Sequence, residues 1–320
     1  MENKVEIAVV GSCNMDLITY TSRLPHIGET MHGHKFVKGY GGKGANQCVA
    51  AAKLGAYTAM IGKVGEDNDG DSFIKNFNTF GVNTDHVLRT KSSATGVASI
   101  SVIDGGGNAI IIAAGANLDL SLQDVNNASN IISKANVLLC QLEVHPLTTL
   151  HALKLAKLHN VKTILNPAPA PDNGLDIEFY TNSDIICPNE AEATSLTDVC
   201  VNDVESAKKA ALILVEKGCE VGIITLGSQG CVYAVRSVSK AVHIKPDTVK
   251  TIDTTGAGDA FAGALAFFVV RFPNISLHEK ISRACYIASK SVCYEGTQKS
   301  YPYAADVPIN LFGFDNMFDN

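Results

Sequence analysis

Short runs of apolar, mostly β-branched residues recur along the chain. Between them, apolar positions fall at spacings of three and four. The runs at 5–10, 59–64, 136–142, 162–166, 184–187 and 221–226 are predicted as strands. They are apolar throughout rather than alternating, which is the pattern of a parallel sheet covered on both faces. The helical spacing predicts helices over 45–54, 69–80, 122–134, 146–159, 190–196, 203–217, 258–272 and 277–292. Strand–helix–strand order of this kind predicts an α/β domain with a doubly wound, mostly parallel central sheet flanked by helices. Ligands of such sheets bind beyond the carboxyl ends of the strands.

Two segments interrupt the alternation. The stretch 17–40 has weak strand character and no helix, and 95–114 reads as a hairpin, with Gly96–Ile103 and Asn108–Ala113 joined by Asp104-Gly105-Gly106-Gly107. Together they predict a small β-sheet lid able to cover a site. An exposed face on that lid is expected to pair two subunits in a homodimer. The whole chain, 1–320, is expected to form a single domain, with 310–320 as a loosely ordered tail without periodicity.

Composition narrows the field. Hydrophobic residues make up 46% and charged residues 18%, so a large core is attainable and global disorder is excluded. The net charge of −6 comes without a basic tract, which argues against nucleic acid as a partner. Nine cysteines, with no Cys-x-x-Cys, fit reduced thiols better than a disulfide framework or a zinc site. Cys13, Cys140, Cys187 and Cys231 sit in apolar runs and are expected in the core. The longest apolar run, 260–270, is closed by Asp259 and Arg271 and is too short to span a bilayer. No signal peptide is expected ahead of the first strand, so the expected location is cytoplasmic, with the nucleus also open and no membrane partner.

Candidate chemistry concentrates in Asp253-Thr254-Thr255-Gly256-Ala257-Gly258-Asp259, which runs straight into an apolar helix. Unpaired backbone N–H groups at such a turn, together with the positive end of a helix, suit a phosphate. Gly256, Ala257 and Gly258 are therefore candidate anion-binding residues. A carboxylate beside a phosphate is electrostatically unfavourable unless it has a role. Asp259 in that position suits a base that takes a proton from a hydroxyl attacking the phosphate. The same residues also describe an ordinary helix start, with Thr255 as cap and Asp259 complementing the dipole.

A second glycine cluster, Gly39-Tyr40-Gly41-Gly42-Lys43-Gly44-Ala45-Asn46-Gln47, precedes an Ala-rich helix that ends at Gly55. Gly44 follows Lys43 where a Walker A loop needs Ser or Thr. Gly39, Gly41 and Gly44 match G-x-G-x-x-G only weakly, because no core strand leads into them. Small residues here let a polyhydroxylated ligand lie against backbone, with Lys43 as a cation and Asn46 as donor and acceptor. A hinge before a tightly packed helix explains the cluster equally.

Further polar groups follow strand after strand. Asn14 and Asp16 come after the first, and Asp16 can accept from two neighbouring hydroxyls of a sugar; alone, the pair also reads as an Asx turn. Glu143 is either an exposed strand end or a ligand contact. Asn189 is a candidate N-cap, and Glu192 in that first turn an ordinary dipole complement. The turn Thr225-Leu226-Gly227-Ser228-Gln229-Gly230 can meet a nucleotide phosphate. His32 and His34 would share a face of a lid strand, without a third metal ligand.

Gly41-Gly42-Lys43-Gly44-Ala45-Asn46-Gln47 and Asp253-Thr254-Thr255-Gly256-Ala257-Gly258-Asp259 resemble the two signatures of the ribokinase-like carbohydrate kinase family. The likeness extends from 14 to 302, with motifs in the family's order. Asn-x-Asp at 14–16, Asn-Pro-Ala-Pro-Ala at 166–170 and Glu-Gly-Thr-Gln at 295–298 resemble its ribose-phosphorylating branch rather than its adenosine or fructose branches.

The resemblance implies that Asn14, Asp16, Gly42, Lys43, Asn46, Glu143 and Asp259 hold D-ribose, with Asp259 also the base for its 5-hydroxyl. It implies ATP at Asn189, Thr225, Leu226, Gly227, Ser228, Gln229, Gly230, Gly258 and Asp259, and an anion hole from Gly256, Ala257 and Gly258. Mg2+ would arrive with ATP. A monovalent cation, K+, would be held by Asp253, Thr255, Ser291, Tyr294, Gly296 and Ser300, several through backbone oxygen, a donor set that suits a hard cation. One departure stands out. Where family members often carry Asn near the adenine, this chain has Cys285, a weaker hydrogen-bonding group.

Overall fold

The computed structural model describes residues 4–105, 107–171 and 173–312. Strand β1 (Ile7–Val10) enters the middle of the main sheet, and the chain leaves at once for β2 (Asn14–Thr21) and β3 (Lys35–Gly41) of the lid. Helix α1 (Lys43–Lys53) leads back to β4 (Thr58–Gly65), and α2 (Asn68–Thr79) to β5 (Asn83–Thr90). The chain then revisits the lid as β6 (Gly96–Ile103) and β7 (Asn108–Ala113). Helices α3 (Leu122–Asn127) and α4 (Ser129–Lys134) precede β8 (Val137–Cys140), and α5 (Pro146–Leu158) precedes β9 (Lys162–Leu165). Next come α6 (Ile177–Thr181), β10 (Ile185–Ile186), α7 (Glu190–Thr197), α8 (Val204–Glu216) and β11 (Val221–Thr225). Strands β12 (Cys231–Val235) and β13 (Val242–Ile244) and helices α9 (Ala257–Arg271) and α10 (Leu277–Ser291) complete the domain.

The main sheet runs β13-β12-β11-β10-β9-β8-β1-β4-β5, parallel from β11 to β5, with β12 and β13 antiparallel at one edge. Side chains of β1 alternate between two cores. Ile7 and Val9 join the apolar faces of α1, α2, α9 and α10, while Ala8 and Val10 join those of α3, α4, α5 and α8. The chain winds from β1 first one way, to β4 and β5, and then the other, to β8 and β9. Loops therefore part at the carboxyl ends of β1 and β8, the switch point beside which ligands of such sheets bind. The lid is a separate four-stranded sheet, β3-β2-β6-β7.

The α/β architecture, the six expected core strands and the lid are all present. Several details differ. The helix expected over 122–134 breaks at Ala128 into α3 and α4. Strand β5, rich in Asn, Thr and Asp, is an edge strand without an apolar signature. Strand β12 returns from β11 through a 3-10 turn instead of a helix, outside the alternation that guided the prediction. The lid begins at Asn14, so Asn14 and Asp16 stand on β2 rather than in an Asx turn. His32 and His34 precede β3 and share no strand face, and His34 Nε2 lies 3.8 Å from Asp104 Oδ1. At the carboxyl end, Ile309–Phe312 forms a 3-10 turn. Phe312 there packs against Phe267, Phe268 and Phe272, with ring centroids within 6.5 Å, so 310–312 are not loose. The rest of the expected tail, 313–320, lies outside the described residues. All nine cysteines are free, and Cys13, Cys140, Cys187 and Cys231 are buried. Among the described residues no helix is long and apolar enough to cross a membrane.

Candidate active site

A cleft of about 670 Å3 opens at the carboxyl edge of the sheet, between the start of α9, the start of α7, the β11–β12 turn and α10. Asn189, Thr225, Gly227, Ser228, Gly230 and Cys285 line it. Of the remaining turn residues, Leu226 is buried, and Gln229 stays off the wall with its carbonyl bonded to His243 Nε2 at 2.7 Å. Asn189 caps α7. Its side chain accepts from Glu192 N and its own N–H donates to Glu192 Oε2, both at 2.9 Å, so the ordinary reading of Glu192 holds. Cys285 sits on the α10 wall with Sγ 3.5 Å from Cys231 Sγ.

The floor of the cleft is the start of α9. Gly256 is its N-cap at φ 76°, a left-handed conformation that disfavours any side chain. Its carbonyl accepts from Tyr301 Oη at 3.2 Å. Thr255 is not the cap, because its hydroxyl is taken by Asp253 Oδ1 at 2.6 Å. The Ala257 N–H already bonds Thr254 O at 3.2 Å. Among the described residues no acceptor meets the N–H groups of Gly256, Gly258 and Asp259, and these three amides are open to a ligand. A Cβ added at Gly258 would meet nothing within 4 Å. Gly258→Ala should therefore leave the melting temperature unchanged or raise it, since Ala is favoured over Gly in a helix by about 1 kcal/mol. The new methyl would project into the cleft, and any turnover that uses the amides of this helix start should drop at least about tenfold, the scale of one lost oxyanion donor or less. Thermal melts and steady-state rates check the two halves separately.

Asp259 lies in the first turn of α9, 8% exposed, between the cleft and the lid. Helix α9 approaches α1 closely because of Gly263. A Cβ there would stand 2.5 Å from Gln47 O and 2.7 Å from Ala50 Cβ. That approach brings two α1 amides to the carboxylate. Asn46 Nδ2 donates to Oδ2 at 3.0 Å, and Gln47 Nε2 donates to Oδ1 at 2.9 Å. Lys43, on the cleft wall, is half-buried. Burial works against its charge, but Asp259, Glu143 and Glu192 outweigh that and raise its pKa, so it is a fixed cation.

Two further carboxylates face this region, Asp16 from the lid and Glu143 from the loop after β8. Asp16 on β2 is buried beside Gly41 of β3, where a Cβ would fall 2.3 Å from Asp16 Oδ2. Among the described residues no donor reaches its carboxylate. Burial first, then Glu143, then Asp259 push its pKa up to about 7. Glu143 is no exposed strand end. Its Oε2 accepts from Ser12 Oγ at 2.5 Å, Lys43 N at 2.8 Å and Asn14 Nδ2 at 3.5 Å. The carboxylate thereby clamps the β1–lid crossover to the start of α1. Asn117 Nδ2 donates to Asn14 Oδ1 at 2.7 Å and turns the Asn14 amide toward Glu143.

Comparison with known proteins decides the family. Residues 4–304 match the pfkB family carbohydrate kinase pattern. The chain belongs to the pfkB family. It is 50% identical to a ribokinase of Mus musculus over 311 residues, 97% of this chain and 96% of the mouse protein. It is 40% identical to a deoxyribokinase of Salmonella typhi over 298 residues, 93% of this chain and 96% of that one. The structure of Arabidopsis thaliana ribokinase complexed with ribose and ATP superposes with a TM-score of 0.88 at 30% identity, covering 98% of this chain and 100% of the other. The chain is thus a carbohydrate kinase in fold and in sequence.

Within this pfkB kinase the six expected cation residues lie on the loop before α9 and on the last residue of α10 with the loop beyond it, and the two segments meet. Ile252 N and Asp253 N both bond Val292 O, at 2.7 and 3.2 Å. The Asp253 carboxylate then binds Thr255 through Oδ1 and Gly296 N through Oδ2, the latter at 2.8 Å. Ser291 and Ser300 are buried, their hydroxyls donating to Ala288 O and Thr297 O at 2.8 Å, whereas Tyr294 is exposed. Sequence reading missed Ser12, Gln47, Asn117, Gln141 and Tyr301 as site residues. Neighbouring polar residues such as Asn46-Gln47 inside an Ala-rich helix were the available signal for one of them.

Proposed function

We propose that this kinase transfers the γ-phosphoryl group of ATP to the 5-hydroxyl of D-ribose, giving ribose 5-phosphate. The observation that carries the proposal is the pairing of buried Asp259 with open amides at the start of α9, between a cleft of nucleotide size and a lid carboxylate, Asp16, that no donor among the described residues reaches. The mouse ribokinase at 50% identity and the Arabidopsis enzyme complexed with ribose and ATP support the same reading.

In this mechanism the ribose diol donates to Asp16, while Asn14, Gly42, Lys43, Asn46 and Glu143 frame the rest of the ring. ATP lies along the cleft, its phosphates reaching the α9 amides and Lys43. Asp259 accepts the proton of the 5-hydroxyl as that oxygen meets the γ-phosphorus. A loose transition state asks little of the base, so positioning and charge stabilisation carry most of the acceleration. Mg2+ enters with ATP as part of the substrate and neutralises phosphate charge. Among the described residues no group of three His, Cys, Asp or Glu side chains stands ready to hold a metal ion alone.

The Asp253-bridged loops fit a monovalent cation, because their donors are oxygens throughout. Replacing K+ by Na+ or choline should lower turnover in a coupled assay, and equal rates in the three salts would remove the site. We also infer a homodimer through the lid. Ile110, Ile111 and Ile112 of β7 are 49, 76 and 51% exposed on an edge strand, Ile111 on one face of the lid and Ile110 and Ile112 on the other, an apolar edge that isolated monomers rarely carry. A single-chain mass in sedimentation would exclude it. Nine free thiols favour a cytoplasmic or nuclear location, which imaging of a tagged chain would test.

The Salmonella deoxyribokinase favours a second reading, 2-deoxyribose as the acceptor. That sugar lacks one of the two hydroxyls that Asp16 would accept from. A panel of ribose, deoxyribose, fructose and adenosine with ATP, followed by locating the phosphorylated hydroxyl, separates the readings. Adenosine as the best acceptor would overturn both.

A further inference from the structure

Carboxamides beside Asp259, buried at Gln47 and Gln141 and half-buried at Asn166, form a chain whose direction is set at its far end. Cys187 presents a backbone carbonyl, which only accepts, so Asn166 reaches it through Nδ2 at 2.8 Å. That turns Asn166 Oδ1 toward Gln47, and Gln47 Nε2 donates to it at 2.9 Å. The second hydrogen of the same Nε2 goes to Asp259 Oδ1 at 2.9 Å. On its other side, Gln47 Oε1 accepts from Gln141 Nε2 at 2.6 Å, and the backbone carbonyl of Gln141 accepts from Thr149 Oγ1 at 2.9 Å. Gln47 has no exposed surface and does not line the cleft. Its amide cannot turn without breaking three hydrogen bonds, two of which fix which end must donate.

We propose that Gln47 is a positioning residue for phosphoryl transfer. Its Nε2 sets the plane of the Asp259 carboxylate and occupies one lone pair, leaving another aimed at the acceptor hydroxyl. This rests on the reading of Asp259 as the base. Asn46 grips the opposite oxygen, but it is also a candidate sugar contact, so its loss would mix binding with chemistry. Gln47 reaches Asp259 from behind and separates the two. A carboxylate free to rotate stays basic but loses its aim, and misplaced groups cost rate rather than affinity.

The test is Gln47→Met, close in volume but without a donor. Turnover should fall about tenfold to a hundredfold, the scale of one hydrogen bond to a charged group, while KM for sugar and for ATP stays within about threefold. In the Asp259→Asn background the same change should slow the enzyme no further, because it acts through the missing carboxylate. Unchanged turnover, a loss confined to KM, or an undiminished loss in the double variant would overturn the role. If Gln47→Met is insoluble, Gln141→Met frees Gln47 Oε1 without touching Asp259. It should lower kcat by less, again at constant KM, and a wild-type kcat there would count against the proposal. Normal turnover in Asp259→Asn would remove the base and this inference together. A slow Asp259→Asn beside a normal Gln47→Met would remove the positioning role alone.

Discussion

Asp259→Asn should lower kcat at least about a hundredfold, the lower end for loss of a general base, while ribose still binds. The change keeps the shape of the side chain and replaces one acceptor oxygen with an NH2 group. In the wild-type protein Asn46 Nδ2 and Gln47 Nε2 each donate to a different oxygen of Asp259. An amide at 259 sets donor against donor on one of those sides, so proton acceptance and alignment are lost together. Ribose affinity should change far less, because Asp16 and Glu143 stand on other elements and keep their surroundings. Steady-state kinetics with ATP and ribose, together with calorimetric titration of ribose, separate the two effects. Near-normal turnover would remove Asp259 from the base role. Loss of ribose binding with unaltered turnover of the bound fraction would make it a sugar ligand only.

The fold was legible where burial is two-sided. Strands such as Ile7–Val10 and Val137–Cys140 are wholly buried, and their unbroken apolar runs announce it. It was illegible where an element stands at an edge or departs from strand–helix order, as β5 and β12 do. The same division runs through the site. Asp259 and its glycines are contiguous in sequence, so local chemistry points to them. The Gln47–Asp259 contact spans 212 positions and depends on Gly263 letting two helices touch. Nothing local to Gln47 carries that information. The helix start at Gly256, Ala257 and Gly258 was legible as a candidate anion site, but which of its amides lack a partner depends on a turn. Thr254 O takes the Ala257 amide and leaves Gly256, Gly258 and Asp259 open. Such a bond belongs to one backbone conformation and is invisible in residue types.

Asp16→Asn should stabilise the sugar-free protein at alkaline pH and at the same time cost most of its affinity for ribose. Asp16 is buried, no donor among the described residues reaches its carboxylate, and its pKa is pushed up to about 7. In the unfolded chain an Asp titrates near 4. A raised native pKa favours the folded state at low pH. Its contribution is fully present below about pH 4, is lost as pH rises through 7, and stays lost above that. A shift of about three units corresponds to about 4 kcal/mol, the largest stability difference the variant can show at pH 8. Asparagine fits the same space beside Gly41 without a charge. The melting temperature of the variant should therefore exceed that of the wild type at pH 8, with the two curves converging toward pH 4. Sugar binding has the opposite sign. Hydroxyls that donate to Asp16 favour the ionised form, so ribose expels a proton below pH 7. Wild-type affinity should rise with pH between about 5 and 7, with a slope approaching one decade per unit, and level off above. In the variant one position of the diol meets an NH2 instead of an acceptor. Affinity should fall roughly tenfold to a hundredfold, and this part of the pH slope should disappear. Titration calorimetry across pH, paired with thermal melts, reads both effects. A variant less stable than wild type at pH 8, or one that keeps the wild-type pH slope for ribose, would show that Asp16 is not a carboxylate held in reserve for the sugar.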